Sequence, residues 1–372
     1  MSPECARGLA WRADFMRIQT PSRSGVAVPW SHRSRLARLH PVLLVWAVLG
    51  LAVLGGRAAE LKHDLYFCAN LSGQKQVMGS RVTVPSGLYR SSDRQNVEHL
   101  GFSHIRVFSV THDVRDPSTL FLATLDGVVR AKDRGRTWRI MTSWDMTEGK
   151  AIAFDPSAPE HVYVGLPDGI AVSHDRGQTW RRMNEGIRRS YTQAIAVDRT
   201  KAGRVVAGTE KGVYVTENGA RTWTLAQSTV ETVTDLRQSP HDPRVFFMAT
   251  TKDGAFLSQN GGRKWERVAG VPKEHTLHNV DFDPKNPNRL VVCGWGAGVL
   301  VSEDGGKTWI DRTAGLPKRE IWRVVVDPDL PERIYAAPYL DAVHVSDDFG
   351  RTWRKLFFEQ AIVFDMVFVP RQ

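Results

Sequence analysis

Two groups of polar residues in this sequence could do chemistry. The first is the adjacent pair His174 and Asp175, which could bind a metal ion or set a carboxylate beside a general base. The second is a set of acidic residues, two of which could act on a glycosidic bond if the fold held them about 5–10 Å apart. These catalytic candidates are Asp145, Glu148, Glu231, Glu320 and Asp341.

The pair belongs to an octet, Ser173–Trp180, that occurs six times. Each copy has Asp or Asn at its third position and Trp at its last, and successive tryptophans lie 42, 43, 42, 44 and 44 residues apart. A period of about 43 residues is typical of a β-propeller, in which each blade has four short strands. The defining residues are Asp133 and Trp138, Asp175 and Trp180, Asn218 and Trp223, Asn260 and Trp265, Asp304 and Trp309, and Asp348 and Trp353.

Comparison among the copies favours a structural role for the octet. Asn218 and Asn260 replace the acid in two copies, and an amide accepts hydrogen bonds in a turn but cannot act as an ionised acid. The position of His174 holds Lys, Glu, Gln, Glu or Asp elsewhere, as a solvated site would. We therefore expect a turn followed by a tryptophan wedge between blades, with no metal and no cofactor.

The remainder of each unit predicts an all-β, seven-bladed β-propeller of four-stranded antiparallel blades. A β-branched run such as 323–326 precedes an Asp-Pro turn, and two further strands lead to the octet. A seventh, degenerate copy of the repeat is expected at residues 81–98, with Glu98 at the tryptophan position. We expect the C-terminal strand, 362–369, to join this N-terminal blade and close the ring. The domain prediction is 60–80 as an extension and 81–372 as the propeller.

The N-terminal region predicts export. Basic residues precede the apolar run 41–56, and small residues follow it, as in a signal peptide that ends near residue 59. Met16 is an alternative start, and an uncleaved anchor formed by 41–56 is an alternative to cleavage. The protein is then periplasmic or secreted, or is attached to the membrane through this segment alone.

Charge and cysteine content limit the partners of the exported chain. Residues 1–59 carry +6 of the net charge of +10, so the remainder carries only +4 and nucleic acid is not expected as a partner. Cys68 and Cys293 fall in different repeat units, which argues against a disulfide, although the sequence leaves their pairing open. It also leaves the oligomeric state open and favours a monomer.

The octets resemble the Asp-box, or BNR, repeat of sialidases, sortilins and xyloglucanases. This resemblance covers residues from about 81 to the end, and it implies the scaffold rather than one function. The sialidase branch implies an arginine triad and a Tyr–Glu pair, for which Arg188, Arg189, Arg319 and Tyr191 are available, but the accompanying Arg-Ile-Pro element is missing. The xyloglucanase branch implies a cleft between two propellers, and the period here gives one.

Loops that do not repeat are the predicted binding surface. They lie on the face opposite the octets, and their aromatic and charged residues suit a polar ligand, either a glycan or a protein segment. The candidates are Trp144, Arg188, Arg189, Tyr191, His275, His278, Trp295, Lys318, Arg319, Trp322 and Tyr339. The innermost strands of a propeller surround a central tunnel, and the expected lining residues here are Asp235, Arg237, Asn279, Asp281, Arg323 and Asp365. Their side chains either neutralise one another or bind a polar ligand or cation.

The sequence and its resemblance to these families suggest two alternative functions. Sortilin-like and photosystem-assembly propellers imply a docking module without chemistry, which is the favoured prediction. The alternative is a glycoside hydrolase that uses the carboxylates named above.

Overall fold

The computed structural model describes residues 60–71, 86–103, 106–188, 190–229 and 231–371, in which all regular elements are β-strands. The predicted all-β class is therefore confirmed. The signal region 1–59, with Met16 and 41–56, lies outside the described residues, as do the strand predicted at 81–84 and Arg189. None of the described segments is a helix long and apolar enough to cross a bilayer.

Five four-stranded antiparallel sheets form the middle of the chain. They follow three N-terminal strands, β1 (His63–Asn70), β2 (Gly87–Ser91) and β3 (Glu98–Leu100). The first sheet has β4 (Val107–Asp113), β5 (Asp116–Thr124), β6 (Gly127–Lys132) and β7 (Thr137–Ile140). The second has β8 (Ala151–Phe154), β9 (Val162–Leu166), β10 (Gly169–Ser173) and β11 (Arg181–Arg182). The third has β12 (Thr192–Val197), β13 (Val205–Thr209), β14 (Gly212–Thr216) and β15 (Thr224–Ser228).

The last two of these sheets have the same arrangement. The fourth has β16 (Val233–Gln238), β17 (Phe246–Thr250), β18 (Ala255–Ser258) and β19 (Glu266–Arg267). The fifth has β20 (Thr276–Phe282), β21 (Leu290–Trp295), β22 (Gly298–Ser302) and β23 (Ile310–Asp311). The chain ends with β24 (Ile321–Val326), β25 (Ile334–Pro338), β26 (Asp341–Ser346) and β27 (Arg354–Pro370).

The first and last strands of the described residues meet in one seven-stranded sheet, in the order β24-β25-β26-β27-β1-β2-β3. The first part of β27, to Ala361, pairs with β26, and the part from Ile362 pairs antiparallel with β1. The long strand β27 thus belongs to two groups of four strands, β24-β25-β26-β27 and β27-β1-β2-β3. Around the molecule, first strands contact one another in the order β4, β8, β12, β16, β20 and β24, and β27 contacts both β24 and β4.

The N-terminal strand differs from its expected place. Residues 63–70, assigned from the sequence to an extension before the propeller, lie inside the sheet between β27 and β2. Its segment, HDLYFCAN, is buried from Asp64 to Ala69. The sequence comparison missed this strand because it has no octet beside it, whereas burial by neighbours on both sides explains its continuous apolar run.

Burial follows the same rule in three of the second strands. β9, β13 and β17 are buried at every residue because neighbouring sheets cover both faces. The two cysteines of the described chain, Cys68 in β1 and Cys293 in β21, are buried and unpaired in separate core clusters.

Candidate ligand site at the mouth of the tunnel

The octets form tight turns between the third and fourth strands. In the second copy, Asp175 Oδ1 accepts hydrogen bonds from Thr179 N at 2.8 Å and from Ser173 Oγ at 2.7 Å. Partial burial acts to raise the pKa of Asp175, but these hydrogen bonds outweigh it and lower the pKa to about 2. In the third copy, Asn218 Oδ1 accepts from Thr222 N at 3.1 Å, so the amide makes the same turn as the acid. The first copy differs, because Asp133 has a φ of +54°.

The octet tryptophans pack between sheets. Trp265, in the octet after β18, belongs to a core cluster with Val206 and Val215 of the preceding sheet. Trp223 packs in the same way with Tyr163, Val172 and Val205. The others, Trp138, Trp180, Trp309 and Trp353, lie half-buried beside the corresponding clusters.

The second octet position has a contact that the sequence did not predict. Glu217 pairs with Arg263 of the next octet at 2.6 Å, and Glu303 pairs with Arg351 of the next octet at 3.1 Å. In these two copies the position joins neighbouring units instead of facing only solvent. His174, at the same position, contacts the His161 ring edge-on at 4.5 Å. The described residues contain no group of three metal-ligating side chains.

On the opposite face, seven side chains meet at the mouth of a central tunnel: one in, or directly before, each of the six first strands, and one in the second part of β27. In six of these strands the register shifts at the residue that faces the mouth, and such a bulge re-aims its side chain. In the remaining strand, Lys150 directly precedes β8. These seven residues, here called the mouth ring, follow one another at 41 to 44 residues: Phe108, Lys150, Gln193, Thr234, His278, Trp322 and Phe364.

The mouth ring surrounds a cavity of about 190 Å³, to which Tyr191 and Arg323 also contribute. Five of these nine residues also line a second chamber of about 230 Å³ deeper in the tunnel. Arg237 and Val367 line both that chamber and a third of about 260 Å³ at the octet face. The cavities therefore follow one another through the molecule.

Aromatic rings form one side of the mouth. The His278 ring stacks on Trp322 with centroids 4.3 Å apart, and Trp322 contacts Phe364 at 6.2 Å. Trp295 and Tyr339 extend this surface outward, with centroids 5.1 Å apart. We call these five residues, together with Phe108, which lies 5.2 Å from Phe364, the aromatic arc. Trp295 is 41% exposed, so the arc offers apolar area to a ligand.

The other side of the mouth is polar and cationic. Lys150 Nζ lies 4.2 Å from the centroid of the Phe108 ring, and Gln193 Nε2 donates to Tyr191 Oη at 2.9 Å. The Arg323 guanidinium donates to the carbonyls of His278, at 2.8 Å, and Phe364. Burial lowers the pKa of His278 to about 4, so this ring is neutral near pH 7. Among the described residues, no carboxylate lines the mouth cavity.

Only part of the predicted binding set lies here. Tyr191, His278, Trp295, Trp322 and Tyr339 come together at the mouth. The remaining described candidates contact other loops or solvent: Trp144 is 90% exposed, His275 and Arg188 are exposed, Lys318 donates to the Tyr339 carbonyl, and Arg319 pairs with Asp311. Phe108, Thr234 and Phe364 were missed. Phe108 lies 42 residues before Lys150, and Phe364 lies 42 residues after Trp322. Alignment of the units at this spacing could have identified such residues from the sequence.

None of the candidate catalytic carboxylates lines the mouth cavity. Asp145 is exposed, and a hydrogen bond from Ser143 lowers its pKa, which is the opposite of what a general acid requires. Glu148 is exposed, 3.7 Å from Lys150. The half-buried Asp341 accepts from Ala342 N at 2.7 Å, while Glu231 and Glu320 accept hydrogen bonds through their carbonyls.

Charged groups deeper in the tunnel partly neutralise one another. Arg237 lies between Asp235, at 3.4 Å, and Asp365, at 3.8 Å. Asn279 is fully buried rather than lining the tunnel, and donates to Asp235 at 2.7 Å. Asp281 forms no ion pair with a described residue, and burial raises its pKa to about 6.

Asp281→Asn is expected to stabilise the protein at pH 8 by about 2–3 kcal/mol and to leave it unchanged near pH 4. The folded state holds the Asp281 proton more tightly than the unfolded chain does, so this contribution to stability falls as the pH rises from 4 through about 6. Urea unfolding from pH 4 to 8 measures it. Asp126→Asn, at an exposed loop, is the control; equal slopes for both variants would contradict the assignment.

Together, the antiparallel sheets and the tunnel define a β-propeller with a ligand-sized mouth on one face. Residues 168–268 match the Sortilin-Vps10 family model, described as sortilin, neurotensin receptor 3. No curated protein matches the sequence. The octets' resemblance to a BNR/Vps10-like propeller is thus confirmed at the level of the scaffold.

Solved structures support the same fold. An ancestral GH74 enzyme is similar at 20% identity, with a TM-score of 0.58 over 67% of this chain and 38% of that one. The GH74 xyloglucanase from Xanthomonas campestris is similar at 15% identity, with a TM-score of 0.57 over 68% of this chain and 45% of that one. YCF48 bound to D1 peptide is similar at 20% identity, with a TM-score of 0.52 over 67% and 81%. The chain therefore spans less than half the length of either hydrolase.

Proposed function

We propose that the seven four-strand groups form a closed seven-bladed ring. Five groups are the separate sheets, and the seven-stranded sheet supplies two more by sharing β27. Contacts of β27 with both β24 and β4 support closure. Through β27 they connect the first strand of the C-terminal group, β24, with the first strand of the N-terminal four-stranded sheet, β4. A ring closed in this way leaves no free inner edge.

We infer that the protein is an exported binding module whose ligand docks at the mouth ring. The observation that carries this proposal is the convergence of one side chain from each of the seven four-strand groups on a single cavity. A site made by all units is rigid, because each contributing side chain stands on a strand held by its neighbours. The predicted signal at 1–59 is the basis for export.

The chemistry of the mouth suits an extended polar ligand with apolar parts. The aromatic arc can pack against an apolar side chain or a sugar ring, while Lys150, Gln193 and Tyr191 can hydrogen-bond polar groups on the other side. We favour a protein or peptide segment over a glycan. YCF48, of which this chain covers 81%, was solved with a D1 peptide, which supports that choice.

Glycoside hydrolysis is the second candidate, favoured only by the likeness to GH74 enzymes. Hydrolysis needs two carboxyl groups on either side of the bond, one with a raised pKa. The mouth cavity has none among its lining residues, and the pKa of Asp145 is lowered. Docking without turnover therefore accounts for more of the observations.

Trp322→Ala and Lys150→Gln are each expected to weaken ligand binding about 10- to 100-fold. Trp322 supplies the largest ring of the arc, and Lys150 supplies a cation on the opposite side. Peptide and glycan arrays probed with the purified protein identify a ligand, and titration of tryptophan fluorescence then gives its Kd. Lys307→Gln, an exposed lysine in an octet, is the matched control.

The outcomes separate the alternatives. Peptide binding that depends on Trp322 supports the proposal, and glycan binding without turnover changes the ligand class while keeping the module. Turnover of a fluorogenic glycoside that is lost in Asp145→Asn or Asp341→Asn would overturn it. Binding that responds equally to Lys307→Gln and Lys150→Gln would place the ligand elsewhere.

A further inference from the structure

In two units, a carboxylate at the second octet position lies between two arginines. Glu217 is 3.3 Å from Arg204, which directly precedes β13, and 2.6 Å from Arg263, at the sixth position of the next octet. Glu303 is held in the same way, by an arginine of its own unit at 3.7 Å and by one of the next octet at 3.1 Å. The carboxylate therefore joins neighbouring units through two cationic side chains.

In the second unit the same three positions hold His161, His174 and Arg221. His161 directly precedes β9 and lies opposite His174, because β9 and β10 pair in register up to that point. The centroids of the two rings are 4.5 Å apart. Unlike Arg263, Arg221 forms no ion pair with a carboxylate of the described residues. We call His161, His174 and Arg221 the histidine seam; it keeps the arginine of the next octet but has no acid.

Two buried polar atoms at this seam have no hydrogen-bond partner among the described residues. They are His161 Nδ1 and Tyr163 Oη. The two side chains point the same way, since residues two apart in an extended chain share a face. A Cβ atom placed on Gly219, in the next octet, would be 3.9 Å from Tyr163 Oη. Buried groups of this kind cost free energy until a partner reaches them, so the seam offers unused hydrogen-bonding capacity as well as positive charge.

We propose that the histidine seam binds a sulfate or phosphate group, held by Arg221 and by the His161–His174 pair when one ring is protonated. Glu217 and Glu303 show the corresponding arrangement within the same molecule, with a carboxylate of the protein between two cations. A tetrahedral oxyanion can accept several charge-assisted hydrogen bonds at once. The octets lie on the face opposite the mouth ring, so this site is separate from the docking function proposed above.

The surrounding charges favour an anion over a metal ion. The groups around the pair are Arg181, Arg221 and Asp175 beside His174, and Glu160 with its partner Arg115 beside His161. With both rings neutral, three arginines against two carboxylates leave one positive charge, and the described residues give a metal no group of three ligands. Burial, then His161 and the arginines, lower the pKa of His174 from its usual 6.5. An anion stabilises the protonated ring, so its binding should tighten as the pH falls.

The test is thermal unfolding in sodium sulfate, compared with sodium chloride at equal ionic strength, at pH 5 and at pH 8. Sulfate keeps both of its charges over this range, so any pH dependence belongs to the protein. The rise of the midpoint with sulfate concentration gives a Kd, expected to be about tenfold lower at pH 5, because a charged imidazole then replaces a neutral one. A sulfated monosaccharide is titrated in parallel. A response to both places the group on a larger molecule, and a response to sulfate alone assigns the site to the free ion.

Three variants assign the response to the seam. Arg221→Gln is expected to weaken sulfate binding at pH 5 about tenfold, and His174→Gln to remove most of the difference between the two pH values. Lys307→Gln is the matched control, because it removes a base from the same octet position of a unit that has no histidine pair. His174→Glu restores the acid of the other units, so it should raise the midpoint without sulfate and abolish the sulfate response.

Either of two results would overturn the proposal. An equal rise in the unmodified protein, Arg221→Gln and His174→Gln would be the general stabilising effect of sulfate on folded proteins. Equal Kd values at pH 5 and pH 8 in the unmodified protein would show that the histidines take no part. Both substituted residues are exposed, so the variants are expected to fold, and their midpoints without sulfate verify this.

Discussion

Replacing Trp265 with alanine is expected to lower the free energy of unfolding by about 3–5 kcal/mol. The indole is only 5% exposed and packs in a cluster with Val206, Val215 and Phe246, so its removal leaves a cavity between two sheets. Its Nε1 also donates to the Gly262 carbonyl at 2.8 Å, and truncation leaves that acceptor unpaired. Chemical denaturation with urea measures the change.

Trp144→Ala is the matched control for this substitution. Trp144 is 90% exposed, so the same truncation should change the free energy of unfolding by less than about 0.5 kcal/mol. An unchanged midpoint for Trp265→Ala would contradict the wedge role of the octet tryptophan.

Asp327→Ala is expected to cost a further large amount, about 3–5 kcal/mol, because it leaves a buried guanidinium without its main partner. Arg94 Nε donates to Asp327 Oδ2 at 2.9 Å, and the two side chains are 1% and 0% exposed. Tyr335 Oη donates to the same oxygen at 3.0 Å. These contacts join the turn after β2 to the loop after β24, and thus the N-terminal strands to the C-terminal group. Urea unfolding gives the change in stability.

A double variant makes this prediction sharper. Asp327→Ala combined with Arg94→Leu is expected to be more stable than Asp327→Ala alone, because the unpaired buried guanidinium is removed. Asp329, the second partner of Arg94 at 3.4 Å, keeps its hydrogen bonds with His63 in the double variant. The exposed pair Arg244 and Asp242, 2.7 Å apart, is the comparison, and its loss should cost far less, because water screens an exposed ion pair. A double variant less stable than the single one would show that the buried charge is not the cause.

The octets were the most predictive part of the sequence. Their third residue is Asp in four copies and Asn in two, and Asp175 and Asn218 each accept a hydrogen bond from the backbone N–H four residues on. Local hydrogen bonds of this kind depend on residues within four positions of one another, so comparison of copies was enough. The tryptophans could be anticipated for a related reason, since a large apolar residue at a fixed place in each unit must be buried somewhere.

Contacts between distant parts of the chain were harder to predict from the sequence. Glu217 and Glu303 pair with arginines of the next octet, a contact that depends on how far neighbouring units rotate. Strand β1 has no octet beside it and was assigned to an extension, although it fills the sheet between β27 and β2. In both cases the contact depends on a segment that is distant in the sequence.

By itself the sequence determined the all-β propeller scaffold and the structural nature of the His174–Asp175 pair, because a repeated local pattern needs no distant contact to be recognised. The tertiary structure decided which residues share the mouth. Phe108, Thr234 and Phe364 join His278 and Trp322 there because a bulge in each of these five strands turns one side chain toward a common axis. Bulges arise from pairing between strands, and that pairing exists only once the sheets have formed.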